Sequence, residues 1–304
     1  MPTTTTASSP PLRQRVRRPL LPLPKTVEGI TLALAAMLAL PAAAPPAPSP
    51  PRPSVMLMTG LPLIWGEKGP FHPASRPAAA YVRLSREFDF RPVDVLDAET
   101  LARGRLLFLA QPQRLAPAEL AALDAWIRRG GRALILTDPV LTWPSELPPG
   151  DIRRPPAVGL LAPLLNHWRL ILDPPVRRGQ VEAVWNGRRI AMDSPGRLRS
   201  SSPDCSIEPG GWTAICRLGL GAVRVVADAD LLRDSLWAPA GPGPPAADNP
   251  AVVGEWLDAL AGTPRPRPRE TADASRARSL AAPALLIAAA AGATGLLLRR
   301  RRRR

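Results

Sequence analysis

Pro117-Ala-Glu-Leu-Ala-Ala-Leu-Asp-Ala-Trp-Ile-Arg-Arg-Gly-Gly131, followed at once by Arg132-Ala-Leu-Ile-Leu-Thr-Asp138, is the stretch that decides the fold. Pro117 suits a first helical turn, Leu120, Leu123, Trp126 and Ile127 share one face, and Gly130-Gly131 stops the helix. Ala133–Thr137 is almost wholly apolar, as a strand covered on both faces must be, so it is expected at the centre of a sheet. Outward from this unit the same alternation recurs. Strands are expected at Ser54–Met58, Arg91–Val95 and Leu106–Ala110, with helices over Arg76–Arg86 and Val158–Trp168. Alternating strands and helices imply an α/β fold, a parallel sheet with helices on both faces.

Residues 170–227 are richer in strand pattern. Val181–Trp185 and Arg188–Met192 flank Asn186-Gly187, a strong hairpin signal. Thr213–Leu218 and Val223–Ala227 are further strands. Asn249–Leu260 closes the domain as a helix, with Asn249 and Pro250 placed for a cap and first turn.

The chain has 304 residues and a net charge of +15, but that charge is unevenly placed. Residues 1–50 and 265–304 hold 16 of the 40 basic residues and only three acids; the stretch between them carries 24 basic and 22 acidic residues. The excess flanks two apolar segments. Leu280–Leu298 is 19 residues without a charge, closed by Arg299–Arg304. At a rise of about 1.5 Å per residue it reaches about 28 Å, close to the hydrocarbon thickness of a bilayer. Gly29–Ala44 follows Arg13, Arg15, Arg17, Arg18 and Lys25, and fits either an uncleaved anchor or a cleaved signal peptide. Both place the middle of the chain outside the cytoplasm, with basic flanks inside. A nucleic-acid partner would want charge clustered on the folded part among aromatics, which this distribution lacks.

The expected organisation is a basic tail (1–26), an anchor or signal (27–44), a Pro-rich spacer (45–53), an extracytoplasmic α/β domain (54–262), a Pro/Arg tether (263–279), a transmembrane helix (280–298) and a terminal Arg run (299–304). Cys205 and Cys216 bracket Glu208-Pro-Gly-Gly211, so the segment can fold back with the thiols adjacent. A disulfide is expected there in an oxidising compartment, the alternative being two free thiols. A zinc site lacks further Cys or His nearby.

The helix–Gly-Gly–strand unit 120–138 resembles the glutamine-amidotransferase-like fold. Together with Gly219-Leu-Gly-Ala-Val-Arg-Val-Val-Ala-Asp-Ala-Asp-Leu231 and the helix opening at Asp248-Asn249, it resembles more narrowly the membrane-anchored auxiliary components of ABC-type transport systems, the GldG-like branch. That resemblance implies a flavodoxin-like parallel sheet with an added β-rich part. It also implies a partner such as an ABC permease or another envelope protein, and a bacterial inner-membrane location. The enzymes of the superfamily carry a cysteine after the strand that follows the glycine pair; here that strand ends Leu136-Thr-Asp-Pro139. Only His72 and His167 exist, neither near the later strand, so no thiolate–base pair is available.

Ligands in open α/β sheets sit beyond the carboxyl ends of the strands. That rule selects Trp65, Glu67, Asp138, Trp143, Asp228 and Asp230 as residues expected to line one crevice. The carboxylates suit acid–base chemistry, giving the alternative of an envelope hydrolase working through Asp138, Asp228 and Asp230. Asp138 and Asp228 equally suit turns that merely end strands. A D-x-D metal pair at 228–230 has no third ligand at an obvious spacing, so no metal or cofactor is expected. His167 is expected to pack or to satisfy helix carbonyls. Of eight tryptophans, Trp126 and Trp256 read as core, whereas Trp65, Trp143 and Trp237 in loops are expected to offer a partner surface. Small-molecule sensing through the Trp65–Phe71 loop is the third functional class.

Overall fold

The computed structural model describes residues 51–237, 247–265 and 267. Both apolar segments, the first tail, the terminal Arg run and most of both linkers lie outside these residues. Among the described residues, no helix is long and apolar enough to cross a membrane.

Eleven strands are described: β1 (Ser54–Thr59), β2 (Asp89–Pro92), β3 (Leu106–Ala110), β4 (Arg132–Leu136), β5 (Leu170–Asp173), β6 (Gln180–Trp185), β7 (Arg188–Asp193), β8 (Arg197–Ser200), β9 (Cys205–Ile207), β10 (Thr213–Leu218) and β11 (Gly221–Val226). The helices are α1 (Ala79–Leu84), α2 (Ala98–Ala102), α3 (Pro117–Arg128), α4 (Ala162–His167), α5 (Asp234–Trp237) and α6 (Asn249–Ala261). Seven strands form one sheet in the order β2-β1-β3-β4-β11-β10-β9, so β4 is its middle strand. The first five run parallel, and β10 and β9 are added antiparallel.

Strand periodicity of two sorts the apolar residues into two cores. Val55, Leu57, Phe108, Leu134, Leu136 and Val226 face α1 and α6. Met56, Met58, Leu107, Leu109, Ala133 and Ile135 face α2, α3 and α4. Continuous apolar runs in β3 and β4 follow from this double cover.

Three expected elements are corrected. The strand expected over Arg91–Val95 lies two residues earlier and ends at Pro92, which cannot donate to a ladder and is tolerated because β2 is an edge. The helix expected over Val158–Trp168 begins only at Ala162, because Pro163 belongs in a first turn and would break a helix already under way. Asn249 does not cap α6; Asp248 holds that position and Asn249 opens the helix.

The side chain of Asn249 serves the β6–β7 ribbon instead. Asn186 (φ 47°) and Gly187 (φ 75°) make the expected tight turn. One edge of β7 faces β6; its other edge meets side chains. Asp248 Oδ2 accepts from Arg189 N–H (3.1 Å), Asn249 Oδ1 accepts from Ala191 N–H (2.9 Å), and Asp228 Oδ2 accepts from Asp193 N–H (2.9 Å). Asn249 Nδ2 returns a donor to Ala191 C=O (2.8 Å). Three side chains thus stand where a further strand would be. The ribbon is also held by aromatics: Trp185 meets Trp256 edge-on at 5.6 Å, and the Arg224 guanidinium lies over both rings.

Cys205 and Cys216 are joined by a disulfide, directly opposite one another on β9 and β10 with Cα atoms 4.0 Å apart. Gly210 and Gly211, both at positive φ, close the hairpin.

Two stability outcomes are expected. Asn249→Leu leaves the Ala191 N–H and C=O without their partner and costs about 2–3 kcal/mol in urea unfolding; a loss below about 0.5 kcal/mol would show that the ribbon edge does not need it. Replacing both cysteines by alanine lowers stability by about 2–3 kcal/mol, the worth of closing so short a loop.

Candidate functional site

The parallel strands deliver their carboxyl ends to one end of the sheet, where two long loops follow, residues 60–78 after β1 and 137–161 after β4. Strand order reverses between β1 and β3, since β2 lies on one side of β1 and β3, β4 and β11 lie on the other. Ligands of open α/β sheets bind outside such a reversal.

Beneath the loops the structure brings Asp138, Asp228 and Asp230 together, all with no solvent exposure. Asp138 Oδ1 accepts from Val140 N–H (2.8 Å) and its Oδ2 from Ala229 N–H (3.0 Å). Asp228 accepts from Leu231 N–H (2.6 Å) and Asp193 N–H. Asp230 Oδ2 accepts from Thr142 N–H (2.6 Å) and the Thr142 hydroxyl (2.8 Å), whereas its Oδ1 is buried with no partner among the described residues. Arg233 bonds Asp193 Oδ2 (2.8 Å) and Thr142 Oγ1 (3.0 Å). Sequence reasoning missed Asp193, Thr142 and Arg233, which reach the cluster from separate segments at no recognisable spacing.

One guanidinium among four carboxyls cannot neutralise them. Burial, with the Asp230 charge added, pushes Asp138 up to about 7. Burial also holds Asp228 well above the usual carboxylate range, with Asp138 and Asp230 reinforcing it. Asp230 is raised mainly by burial, against the opposing bonds from Thr142. The bare Asp230 Oδ1 is the one carboxyl oxygen of these three residues that accepts no hydrogen bond among the described residues.

The other three expected residues lie in the loops above. Glu67 accepts from the Ser145 hydroxyl and from Glu146 N–H (2.7 Å), tying the two loops together beside a pocket of about 420 Å3 that includes Lys68 and Arg76. Trp65 is 55% exposed, and Trp143 is half-buried against the core. The six residues therefore divide between a sealed carboxyl cluster and a loop rim, and do not line one open crevice. Trp237, expected at a partner surface, is buried, its indole N–H bonded to Leu231 C=O (2.6 Å). His167 neither packs nor caps; it is exposed, with Nε2 3.6 Å from Asp124.

Gln111 is a further site residue that reading the sequence overlooked. It directly follows β3, is fully buried and holds a left-handed φ of 43°. Its side-chain carbonyl accepts from Asp138 N–H (2.7 Å), and its amide donates to the Pro156 carbonyl (2.9 Å) and, at 3.3 Å, to the Asp138 carbonyl. A polar residue ending an all-apolar strand was the available signal. Among the described residues, no group of three or more His, Cys, Asp or Glu is arranged to hold a metal ion.

The site thus defines an α/β domain with a mixed central sheet, two long carboxyl-end loops and a buried acid cluster. Residues 52–176, which include both loops, match the ABC-transport auxiliary family model, described as an ABC-type uncharacterized transport system. No curated protein matches the chain. Among solved structures it is similar to exo-beta-1,4-mannosidase Op5Man5 from Opitutaceae bacterium strain TAV5 (12% identity, TM-score 0.36, 68% of this chain and 35% of that one). It is also similar to cytoplasmic protein STM1381 from Salmonella typhimurium LT2 (11%, 0.42, 70% and 100%). A third is a ThuA-like protein from Bacteroides uniformis ATCC 8492 (8%, 0.34, 73% and 98%). The chain spans about a third of the length of the mannosidase. These likenesses are too remote to bear on activity.

The raised carboxyls make a pH prediction with a definite sign. An acid whose pKa is raised by folding stabilises the fold below its unfolded value and loses that contribution as pH rises through the folded value. Tm is therefore expected to fall from about pH 4 to about pH 7. Asp151 and Asp173, held down by Arg153 and Arg199, act in the opposite sense and only below about pH 4. Asp230→Asn mimics the protonated acid, so it flattens the fall and raises Tm at pH 8; a parallel, lower curve would contradict the assignment.

Proposed function

We propose that this chain is a membrane-anchored, extracytoplasmic accessory subunit of an ABC-type transport or cell-envelope system, akin to the GldG-like branch, and that it works by binding protein partners. The carrying observation is the family match over residues 52–176. Location is inferred from the arginine-flanked apolar segments Gly29–Ala44 and Leu280–Leu298, and the Cys205–Cys216 disulfide supports an oxidising compartment.

The domain's geometry supports the same reading. Pro53 C=O accepts from Asp89 N–H (2.9 Å), while Arg265 and Arg267 reach back to Glu87 and Asp258. Entry and exit therefore lie side by side where the parallel strands begin. The loops carrying Trp65, Phe71 and Ile152 are at the opposite end, with Phe71 99% and Ile152 89% exposed. A domain tethered through both ends would present that apolar rim to a partner.

The hydrolase alternative draws on Asp138, whose elevation suits acid–base work, but the carboxyl cluster has no solvent exposure. The sensing alternative would give a change in tryptophan emission on ligand addition.

The test is capture of the tagged full chain from mild detergent. A permease and its ATPase are expected to co-purify, and Trp65→Ser with Phe71→Ser is expected to cut recovery several-fold without shifting Tm. Loss of neither partner in the double variant would remove the rim from the interface; recovery without any transport component would overturn the proposal.

A further inference from the structure

A cavity of about 260 Å3 opens between the β6–β7 ribbon and the turn from β9 to β10. Alternation along β6 turns Val181 and Ala183 to one face, where both are half-buried, and Gln180, Glu182 and Val184 to the other. Val181 and Ala183 line the cavity with Met192 of β7 and the ring of Trp212, so its walls are apolar. Val176 also lines it and is 76% exposed, an apolar side chain with little of its own to pack on.

The polar side chains at this cavity can only donate. Trp212 is 5% exposed, and its indole N–H meets no acceptor among the described residues, yet its nitrogen is not sealed as that of Trp256 is. It lies beside Gly210, where a Cβ would stand 2.6 Å from Nε1. Arg197 pairs in register with Asp173 across β8 and β5, but Arg199 takes both oxygens of that carboxylate (2.5 and 2.9 Å). Arg197 lies instead against Gly211, where a Cβ would stand 3.2 Å from its Nε. The turn itself requires glycine at both positions, with φ of 92° and 76°; the missing Cβ atoms also leave the indole and the guanidinium uncovered. Arg177 lines the cavity as well, and neither it nor Arg197 has an ion-pair partner among the described residues.

An indole N–H and a guanidinium have hydrogens to give and no lone pair to offer. Their match is a group that only accepts, and an ionised carboxylate also answers the charge of two unpaired arginines. We propose that this cavity binds a small organic acid, an aliphatic or aromatic body of about nine non-hydrogen atoms, judged from the ~30 Å3 that one water takes in the liquid. The body lies against Val181, Ala183 and Met192, and the carboxylate meets the Trp212 indole and Arg197, with Arg177 adding a second positive charge. An alcohol of the same shape forgoes the charge, and an amine adds a cation beside two others. This inference does not depend on the transport reading, and its test needs no transport component.

The probe is phenylacetate, titrated by calorimetry into the full chain held in lipid nanodiscs. Saturable binding is expected, weakened about tenfold by Arg197→Gln, the loss of one charge-assisted contact. Phenethyl alcohol, the same ring without the charge, is expected to bind about tenfold more weakly than the acid. Ala183→Leu takes up the room for the ring and is expected to abolish binding. A second measurement uses wild type alone: millimolar phenylacetate is expected to shift the indole N–H magnetic resonance of Trp212 and leave those of Trp126 and Trp168, in the other core, unchanged. An unmoved Trp212 resonance, equal affinity of wild type and Arg197→Gln, or equal binding of alcohol and acid overturns the site. An acetylated tripeptide ending in phenylalanine carries the same group on a larger body and is expected to be excluded; its binding in preference to phenylacetate overturns the small-molecule reading. If Ala183→Leu does not fold, the arginine variant and the Trp212 resonance decide without it.

Discussion

Main-chain N–H groups that leave a ladder under cover of loops must find acceptors, and here buried carboxylates provide them. Asp138 takes the N–H of Ala229, Asp228 takes those of Asp193 and Leu231, and Asp230 takes that of Thr142. Apart from the local Leu231–Asp228 bond, each joins the end of one strand to the segment leaving another. An unpaired buried N–H costs about 1–3 kcal/mol, so this exchange helps to fix the loop backbones at the end of the sheet. The same choice brings a difficulty of its own: acceptors that are strong because they are charged cannot all be charged at once. One guanidinium, Arg233, offsets part of the repulsion, and a retained proton is the remaining remedy.

A similar substitution of side chain for backbone recurs elsewhere. Asp248 and Asn249 complete the β7 edge, and Gln111 bridges the ends of β3 and β4 to Pro156 of the loop after β4. Each lets a loop or ribbon sit against the sheet without adding a strand to it. A shared consequence is that polar side chains fix the long connections alongside their buried apolar residues Leu61, Leu63 and Leu161.

How much of this was legible follows from the kind of signal each part carries. The 117–138 unit, the central place of β4, the Asn186-Gly187 turn and the cysteine hairpin rest on local pattern, and each was readable. Short elements such as α2 and β8, and the shift of β2 ahead of Arg91, depend on pairing across the sheet, which local pattern does not encode. At the site, Asp138, Asp228 and Asp230 were recognisable as strand-end acids. Their burial was not, because it depends on loops of some twenty residues folding over them, and the same loops separate Trp65 and Glu67 from the acids. Asn249 was misassigned for a related reason: its fit to a cap is local, whereas its bonds to Ala191 span 58 residues.

The neighbouring entry and exit of the domain have a mechanical consequence. Arg265 and Arg267 both grip Asp258 and reach Glu87, two residues before β2, and their guanidinium groups stack over Phe88. Tension applied through the C-terminal segment meets this charged buckle before it reaches α6, whereas the N-terminal side leads straight into β1 through Pro53. On that side its release would lengthen the tether by a few residues while α6 and the surface at the far end keep their shape.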